Sequence, residues 1–279
     1  MLKRSITMGF AILALIVADL SIAQEETVDR VTVELTDPGK PAFLTVGLVN
    51  GGIKVSGYEG KEVVVEARTR LHKISRDEKG RSKGSGMMRI PVSSSSLTVE
   101  EYKNKIDIET ESWARPIDLV IKVPRETSLE LSCVNRGDIR VENISGDIEA
   151  SNVNGAVTLL NIDGSVVASA HNKDLTVTFT GVDADKDMSF SSFNGDVDVT
   201  FPASLKAKVK LKTIRGEIYT DFQIEETENP EQIIRKNHRD SGGKYRVSVD
   251  RAFWGVINGG GQELQFSNFN GDIFIRKQN

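Results

Sequence analysis

The sequence predicts an all-β chain, a β-solenoid or β-helix-like stack of short strands. Three observations predict it. Gly137, Gly146, Gly155 and Gly164 recur nine residues apart, apolar residues alternate after each of them, and the three-and-four spacing of an amphipathic helix is missing. After each glycine the apolar residues fall two, four and seven places on: Ile139, Val141 and Ile144; Ile148, Ala150 and Val153; Val157, Leu159 and Ile162. After Gly164 come Val166 and Ala168, and then His171 departs from the rule. The same signature surrounds Gly51, Gly195, Gly216 and Gly271, as in Met188, Phe190 and Phe193 before Gly195.

Two apolar residues two apart share one face of a strand. The Gly, Asn, Asp or Ser that follows forms a corner, because these residues tolerate positive φ or bond locally to the backbone. Each nine-residue unit then reads as one short strand and one corner, with the lone apolar residue before the next glycine pointing inward. Such a unit is too small to stand alone, and stacking at about 4.8 Å per layer buries a continuous core. Asn154-Gly155, Asn194-Gly195 and Asn270-Gly271 are also strong hairpin signals, so a β-sandwich is the alternative architecture.

The elements follow in order. Lys3 and Arg4 precede an apolar run from Met8 to Val17, and Ser21-Ile22-Ala23 places small residues where a signal peptidase reads. Residues 1–23 are therefore expected to be a signal peptide cleaved before Gln24, leaving 256 of the 279 residues. The run is too short to span about 30 Å of hydrocarbon comfortably, and Asp19 ends it. No cysteine follows it to carry a lipid anchor, and no later segment is apolar enough to span. Residues 24–124 read as an irregular N-terminal β region or cap. Alternation at Val63, Val65 and Ala67, at Ile106 and Ile108, and from Ile117 to Val123 marks longer strands, and Pro124 stops the last. Residues 125–279 read as the Gly-Asp-repeat solenoid, with an insertion at 221–244 that is acidic from Glu225 to Glu231 and basic from Arg235 to Arg239. Pro230 to Asn237 has the pattern of a short helix. The basic stretch from His72 to Gly86 reads as a solvated loop.

Charge and chemistry exclude several classes. Removal of residues 1–23 moves the formal charge from −4 to −5, which argues against nucleic acid as a partner. One cysteine, Cys133, cannot form an internal disulfide, and its place in the alternation Leu129, Leu131, Cys133 makes it a core residue. His72, His171 and His238 are isolated, without metal-ligand spacing. No catalytic, cofactor-binding or metal-ligating residue emerges, and no cofactor is expected. Asp138, Asp147, Asp196 and Asp272 follow repeat glycines and could stack as an acidic ladder. Calcium-binding nonapeptides carry their Asp deeper in each unit, so each Asp is expected to bond its own turn. Arg136-Gly137-Asp138 spells an adhesion tripeptide, but its Gly-Asp belongs to the repeat. Trp113, Phe253 and Trp254 could line a sugar groove and fit a core or cap equally well.

The run Ile117-Asp118-Leu119-Val120-Ile121-Lys122-Val123-Pro124, then Ser128-Leu129-Glu130-Leu131, then Arg136-Gly137-Asp138-Ile139-Arg140-Val141, Ser145-Gly146-Asp147-Ile148 and Asn154-Gly155-Ala156-Val157 resembles the bacterial DUF4097 family, which carries the name "putative adhesin". The resemblance spans roughly Leu44 to Ile275 and is densest from Ile117 to Phe201. It implies a β-solenoid protein of the cell envelope, in some members tied to envelope-stress signalling, and defines no catalytic residues. His171 and the stretch from Asp221 to Lys244 depart from the pattern.

The expected function is that of a non-catalytic exported envelope or extracellular protein, binding an envelope protein or a polysaccharide through its solenoid surface. A self-assembling structural protein and a polysaccharide-active β-helix enzyme are the alternatives. The sequence leaves the oligomeric state open. If residues 1–23 are an export signal, Edman or mass-spectrometric sequencing of the exported protein will begin at Gln24; a product that retains Met1 contradicts the assignment.

Overall fold

Successive nine-residue units lie on opposite walls of the solenoid, so one full coil takes two units. The computed structural model describes residues 28–70, 97–110, 116–227 and 252–278. The signal segment, the loop from His72 to Gly86, Trp113 and the segment from Pro230 to Asn237 lie outside the described residues.

The described chain is all strand and corner. It opens with β1 (Val28–Glu34), β2 (Ala42–Asn50), β3 (Ile53–Tyr58), β4 (Glu62–Thr69), β5 (Leu97–Tyr102), β6 (Lys105–Thr110) and β7 (Ile117–Pro124). The regular stretch supplies β8 (Thr127–Asn135), β9 (Ile139–Glu142), β10 (Ile148–Asn152), β11 (Val157–Gly164), β12 (Val166–Ala170), β13 (Leu175–Val182), β14 (Met188–Ser192) and β15 (Val197–Phe201). The last part holds β16 (Ala207–Thr213), β17 (Ile218–Thr220), β18 (Ile224–Glu226), β19 (Phe253–Ile257), β20 (Gln262–Asn268) and β21 (Ile273–Lys277).

These strands form two walls. Sheet one has ten strands in the order β1-β4-β7-β3-β9-β11-β13-β15-β21-β17, and sheet two has eleven in the order β18-β19-β16-β20-β14-β12-β10-β8-β2-β6-β5. Each coil gives one strand to each wall. In spatial order the coils are β6/β7, β2/β3, β8/β9, β10/β11, β12/β13, β14/β15, β20/β21 and β16/β17, eight among the described residues. All neighbouring coils pair in parallel. Antiparallel strands appear only towards the ends: β1 and β4 beside β7, β5 beside β6, and β18 and β19 beside β16.

The chain does not lay its coils down in order. The second coil, β2/β3, comes first in sequence and is later flanked by β6/β7 on one side and β8/β9 on the other. The seventh, β20/β21, comes last and sits between β14/β15 and β16/β17. Each penultimate coil is thus clasped between two neighbours, which satisfies both edges of its strands with ladder hydrogen bonds.

The core is the dry space between the walls. On sheet one, Leu119, Ile53, Ile139, Val157, Leu175, Val197 and Ile273 stack in one row of matched registers. On sheet two, Val46, Leu131, Ala150, Ala168, Phe190, Phe266 and Leu211 form another. Ile139, Ile148 and Val157 are buried, as the alternation requires. Towards the C-terminal end the core turns aromatic: Phe179 stacks on Phe201 at 5.0 Å, Phe190 on Phe266 at 4.9 Å, and the two pairs meet edge to face. Each fully buried side chain of this kind contributes about 1.5–3 kcal/mol relative to exposure.

The glycines answer to coil spacing more than to φ. Among the repeat glycines only Gly51 and Gly164 have positive φ. A Cβ on Gly155 would lie 2.0 Å from the carbonyl oxygen of Gly137 one coil below, and one on Gly271 would lie 2.4 Å from that of Gly195. The corners therefore bring backbone onto backbone, and only a residue without a side chain fits. Gly155→Ala is expected to destabilise the fold by about 1–3 kcal/mol, the cost of forced overpacking, whereas Gly39→Ala, whose nearest neighbour is an Asp37 oxygen at 3.8 Å, will be near neutral. Chemical denaturation measures both, and equal midpoints contradict the spacing argument.

Candidate functional site

The outer surface at the corner leading from sheet two to sheet one is the candidate site. Seven coils carry a corresponding short run there. In the sixth coil it reads Ser192-Phe193-Asn194-Gly195-Asp196, and in the seventh Asn268-Phe269-Asn270-Gly271-Asp272.

The first residue of the run points inward. Asn152 Nδ2 donates to the Gly137 carbonyl at 3.0 Å, Asn268 Nδ2 to Gly195 at 2.8 Å, and Thr213 Oγ1 to Gly271 at 3.1 Å. Cys133 holds the same place, and its thiol donates to the Gly51 carbonyl at 2.9 Å. Burial pushes the Cys133 thiol pKa up, against the pull of the backbone N–H of Val134, so the sulfur is a poor nucleophile. It is the core residue the alternation anticipated.

Strict alternation then turns the second residue outward. Val49, Val134, Val153, His171, Phe193, Phe269 and Ile214 occupy equivalent places on seven consecutive coils, which the adjoining registers fix. Six of the seven are exposed, Val49 to 53% and Ile214 to 56%, and Phe269 is half-buried. His171 stacks on Phe193 at 4.9 Å, Phe193 stacks on Phe269 at 4.5 Å, and the Arg215 guanidinium lies 5.5 Å from the Phe269 ring centre. The expectation that these residues point inward is corrected here. It holds at the opposite corner, where Ile144 and Ile162 are fully buried. There Asn143 and Asn161 adopt φ of 60° and 56°, a left-handed step that breaks the alternation and turns the next side chain in. His171 is also no interruption, since it keeps register within the row.

The third residue builds an amide ladder. Asn154 donates to Asn135 at 2.7 Å, Asn172 to Asn154 at 2.8 Å, Asn194 to Asn172 at 2.9 Å and Asn270 to Asn194 at 2.9 Å. The Asp row beside it is tied differently from the expected self-bonded turn. Each carboxylate accepts the backbone N–H of the next coil: Asp118 from Gly52, Asp138 from Ala156, Asp174 from Asp196, Asp196 from Asp272, and Asp272 from Glu217, all at 2.8–3.0 Å. Asp147 lies at the opposite corner, so the four Gly-Asp carboxylates do not make one ladder. Among the described residues no three His, Cys, Asp or Glu side chains converge as a metal-holding group. The tripeptide Arg136-Gly137-Asp138 is built into the same corner. Gly137 packs on the backbone of Gly51 and Gly52, and the Arg136 carbonyl accepts from Arg70, which also pairs bidentately with Asp118.

On the sheet-two side a hydroxyl row runs parallel to the stripe: Ser132, Ser151, Ser169, Ser191 and Ser267 stand in register on five consecutive coils. Phe253 and Trp254 lie on β19 at the C-terminal end, where Trp254 is buried under Lys210 with Nζ 4.7 Å from the ring centre.

A stack of parallel two-strand coils with laddered corners defines the class: a β-solenoid protein. Residues 134–251 match the family model described as Toastrack DUF4097, so the resemblance read from the residues holds over that stretch. Two solved structures are similar. One is described as a putative cell adhesion protein from Clostridium sporogenes ATCC 15579, at 12% identity over 91% of this chain and 100% of that one, TM-score 0.42. The other is described as a putative adhesin from Bacteroides fragilis NCTC 9343, at 11% identity over 91% and 98%, TM-score 0.30. Both are too remote to carry function across. No curated protein matches the chain.

At the opposite corner, burial of the Asp147 carboxylate opposes its charge. The Lys186 ammonium at 2.8 Å and the Ser165 hydroxyl at 2.6 Å outweigh it, and its pKa falls below the ordinary value. A depressed carboxylate pKa adds stability above the unfolded pKa of about 3.9 and loses it as the pH drops through the folded value. Lys186→Met will therefore lower the melting temperature at pH 7, and the difference from the parent will shrink below about pH 4. A difference that stays constant from pH 7 to pH 3 rules this pair out as the cause.

Proposed function

We propose that the protein is exported with removal of residues 1–23 and acts in the cell envelope as a non-catalytic binding protein, using its solenoid surface to hold a partner or polymer. The observation that carries the reading is the exposed apolar row at the corner from sheet two to sheet one. Scattered surface apolar residues are ordinary, but six apolar residues and His171, aligned on seven consecutive coils, form a continuous feature that marks a contact surface. In this reading residues 24–124 start the stack and residues 125–279 extend it.

End-to-end assembly, the structural alternative, is opposed by the ends themselves. On sheet one the N-terminal edge strand β1 carries Asp29, Arg30 and Glu34, and on sheet two the C-terminal edge strand β18 carries Glu225 and Glu226, charges that blunt strand pairing. A degradative role needs an acid and a base converging on one bond. The corner carboxylates instead hold backbone N–H groups of the next coil.

The test is binding of the labelled full chain to isolated envelopes of its source bacterium. Saturable binding without release of reducing ends is expected. Absence of binding, or steady release of sugar, overturns the reading.

A further inference from the structure

We infer that the corner leading from sheet two to sheet one is a docking line for an uncharged linear polysaccharide; this rests on the envelope-binding role proposed above and assigns it a place and a ligand class. The shape of the surface is the first argument. The apolar row is one side chain wide and seven coils long, about 29 Å at the usual strand spacing. A globular partner or a second copy would need a broad patch of about 800 Å² on each side. A single polymer chain needs only a line.

The chemistry of the adjoining rows is the second argument. Four rows run parallel to the axis: serine hydroxyls, apolar side chains, asparagine amides and aspartate carboxylates. A sugar chain presents the complementary alternation of hydroxyl edges and C–H surfaces. Each laddered amide has two N–H groups and spends one on its neighbour, leaving one directed by valence elsewhere. Asp174 and Asp196 likewise accept the backbone N–H through Oδ1 and each has a second acceptor oxygen. These are the groups that pair with sugar hydroxyls.

Charge and period narrow the class. At the corner the acidic Asp138, Asp174, Asp196, Asp272 and Glu217 outnumber the basic Arg136, Lys173 and Arg215, which disfavours acidic glycans, nucleic acid and anionic headgroups. Coils repeat at about 4.8 Å, while an extended peptide repeats every two residues, at about 6.8 Å, and drifts out of step. A β-linked pyranose chain advances one sugar over nearly one coil. The stacked rings of His171, Phe193 and Phe269 cover one another's faces and offer edges. Each coil therefore adds a small contact, and affinity must grow with the number of sugars bound.

Affinity electrophoresis of the full chain in gels containing xylan, galactomannan or hydroxyethyl cellulose, with polygalacturonate as the anionic counter-probe, tests this. Retardation by at least one neutral polymer and none by polygalacturonate is expected. For the polymer that binds, its hexasaccharide should compete better than its trisaccharide. The double variant Val134→Ser/Val153→Ser leaves the three stacked rings in place and should bind about tenfold more weakly at an unchanged melting temperature. Thr176→Val, on the outer face of sheet one, should bind as the parent does. If the chain binds envelopes but no neutral polymer, or if the double variant binds polymer as well as the parent, the docking line is refuted while the envelope role stands. Sedimentation that shows a dimer abolished by the double variant also refutes it, by making a second copy the occupant. Loss of envelope binding altogether would remove the broader reading with it.

Discussion

The spacing between coils governs everything else in this molecule. Parallel strands sit about 4.8 Å apart, and a corner that must climb by that amount brings successive turns into backbone contact. Gly137 against Gly51, Gly155 against Gly137, Gly216 against Gly271 and Gly271 against Gly195 are among the points of close approach. The same spacing lets like side chains reach one another, which is why asparagine bonds asparagine from Asn135 to Asn270 and why Asp118, Asp138, Asp174, Asp196 and Asp272 each bond the next backbone N–H. At such a corner the aspartates supply backbone N–H groups with the acceptors that a sheet would otherwise provide.

A stack of coils has two weak places, its ends, and the chain deals with both in the same manner. The coil nearest the chain's N-terminal part and the coil formed by its C-terminal part are both penultimate, each with a parallel neighbour on either side. The outermost coils come from interior segments, and their strands β6, β7 and β16 are backed by antiparallel strands. Opening of β2/β3 or of β20/β21 would have to break two ladders on each wall, whereas β1 pairs only with β4.

The two corners divide the labour. At one, a left-handed asparagine turns an isoleucine into the core, and Asp147 is locked by Ser165 and Lys186. At the other, unbroken alternation carries an apolar side chain out to solvent. The second arrangement gives up the burial of one apolar residue per coil. What is gained is a straight surface with an apolar centre between rows of hydroxyl and amide groups, the feature on which the binding role rests.

The sequence by itself determined the all-β class, the strand positions, the inward rows and the buried place of Cys133, because alternation and glycine spacing are local properties written into consecutive residues. It contained the outward row too, as spacings of 19 and 18 residues from Asn135 to Asn154 to Asn172, but a nine-residue reading merged two unlike corners. The inward place at the exposed corner is filled by polar Asn152, Ser192 and Asn268, so Val153 and Phe193 pass for core. Their donor groups are satisfied by carbonyls of the coil below, which are distant in sequence: Asn268 Nδ2 reaches Gly195 across 73 positions. Coil order, the clasped penultimate coils and the direction of each ladder were decided only by the tertiary structure. They depend on which strands lie side by side, and local periodicity is the same whichever neighbour a strand finds.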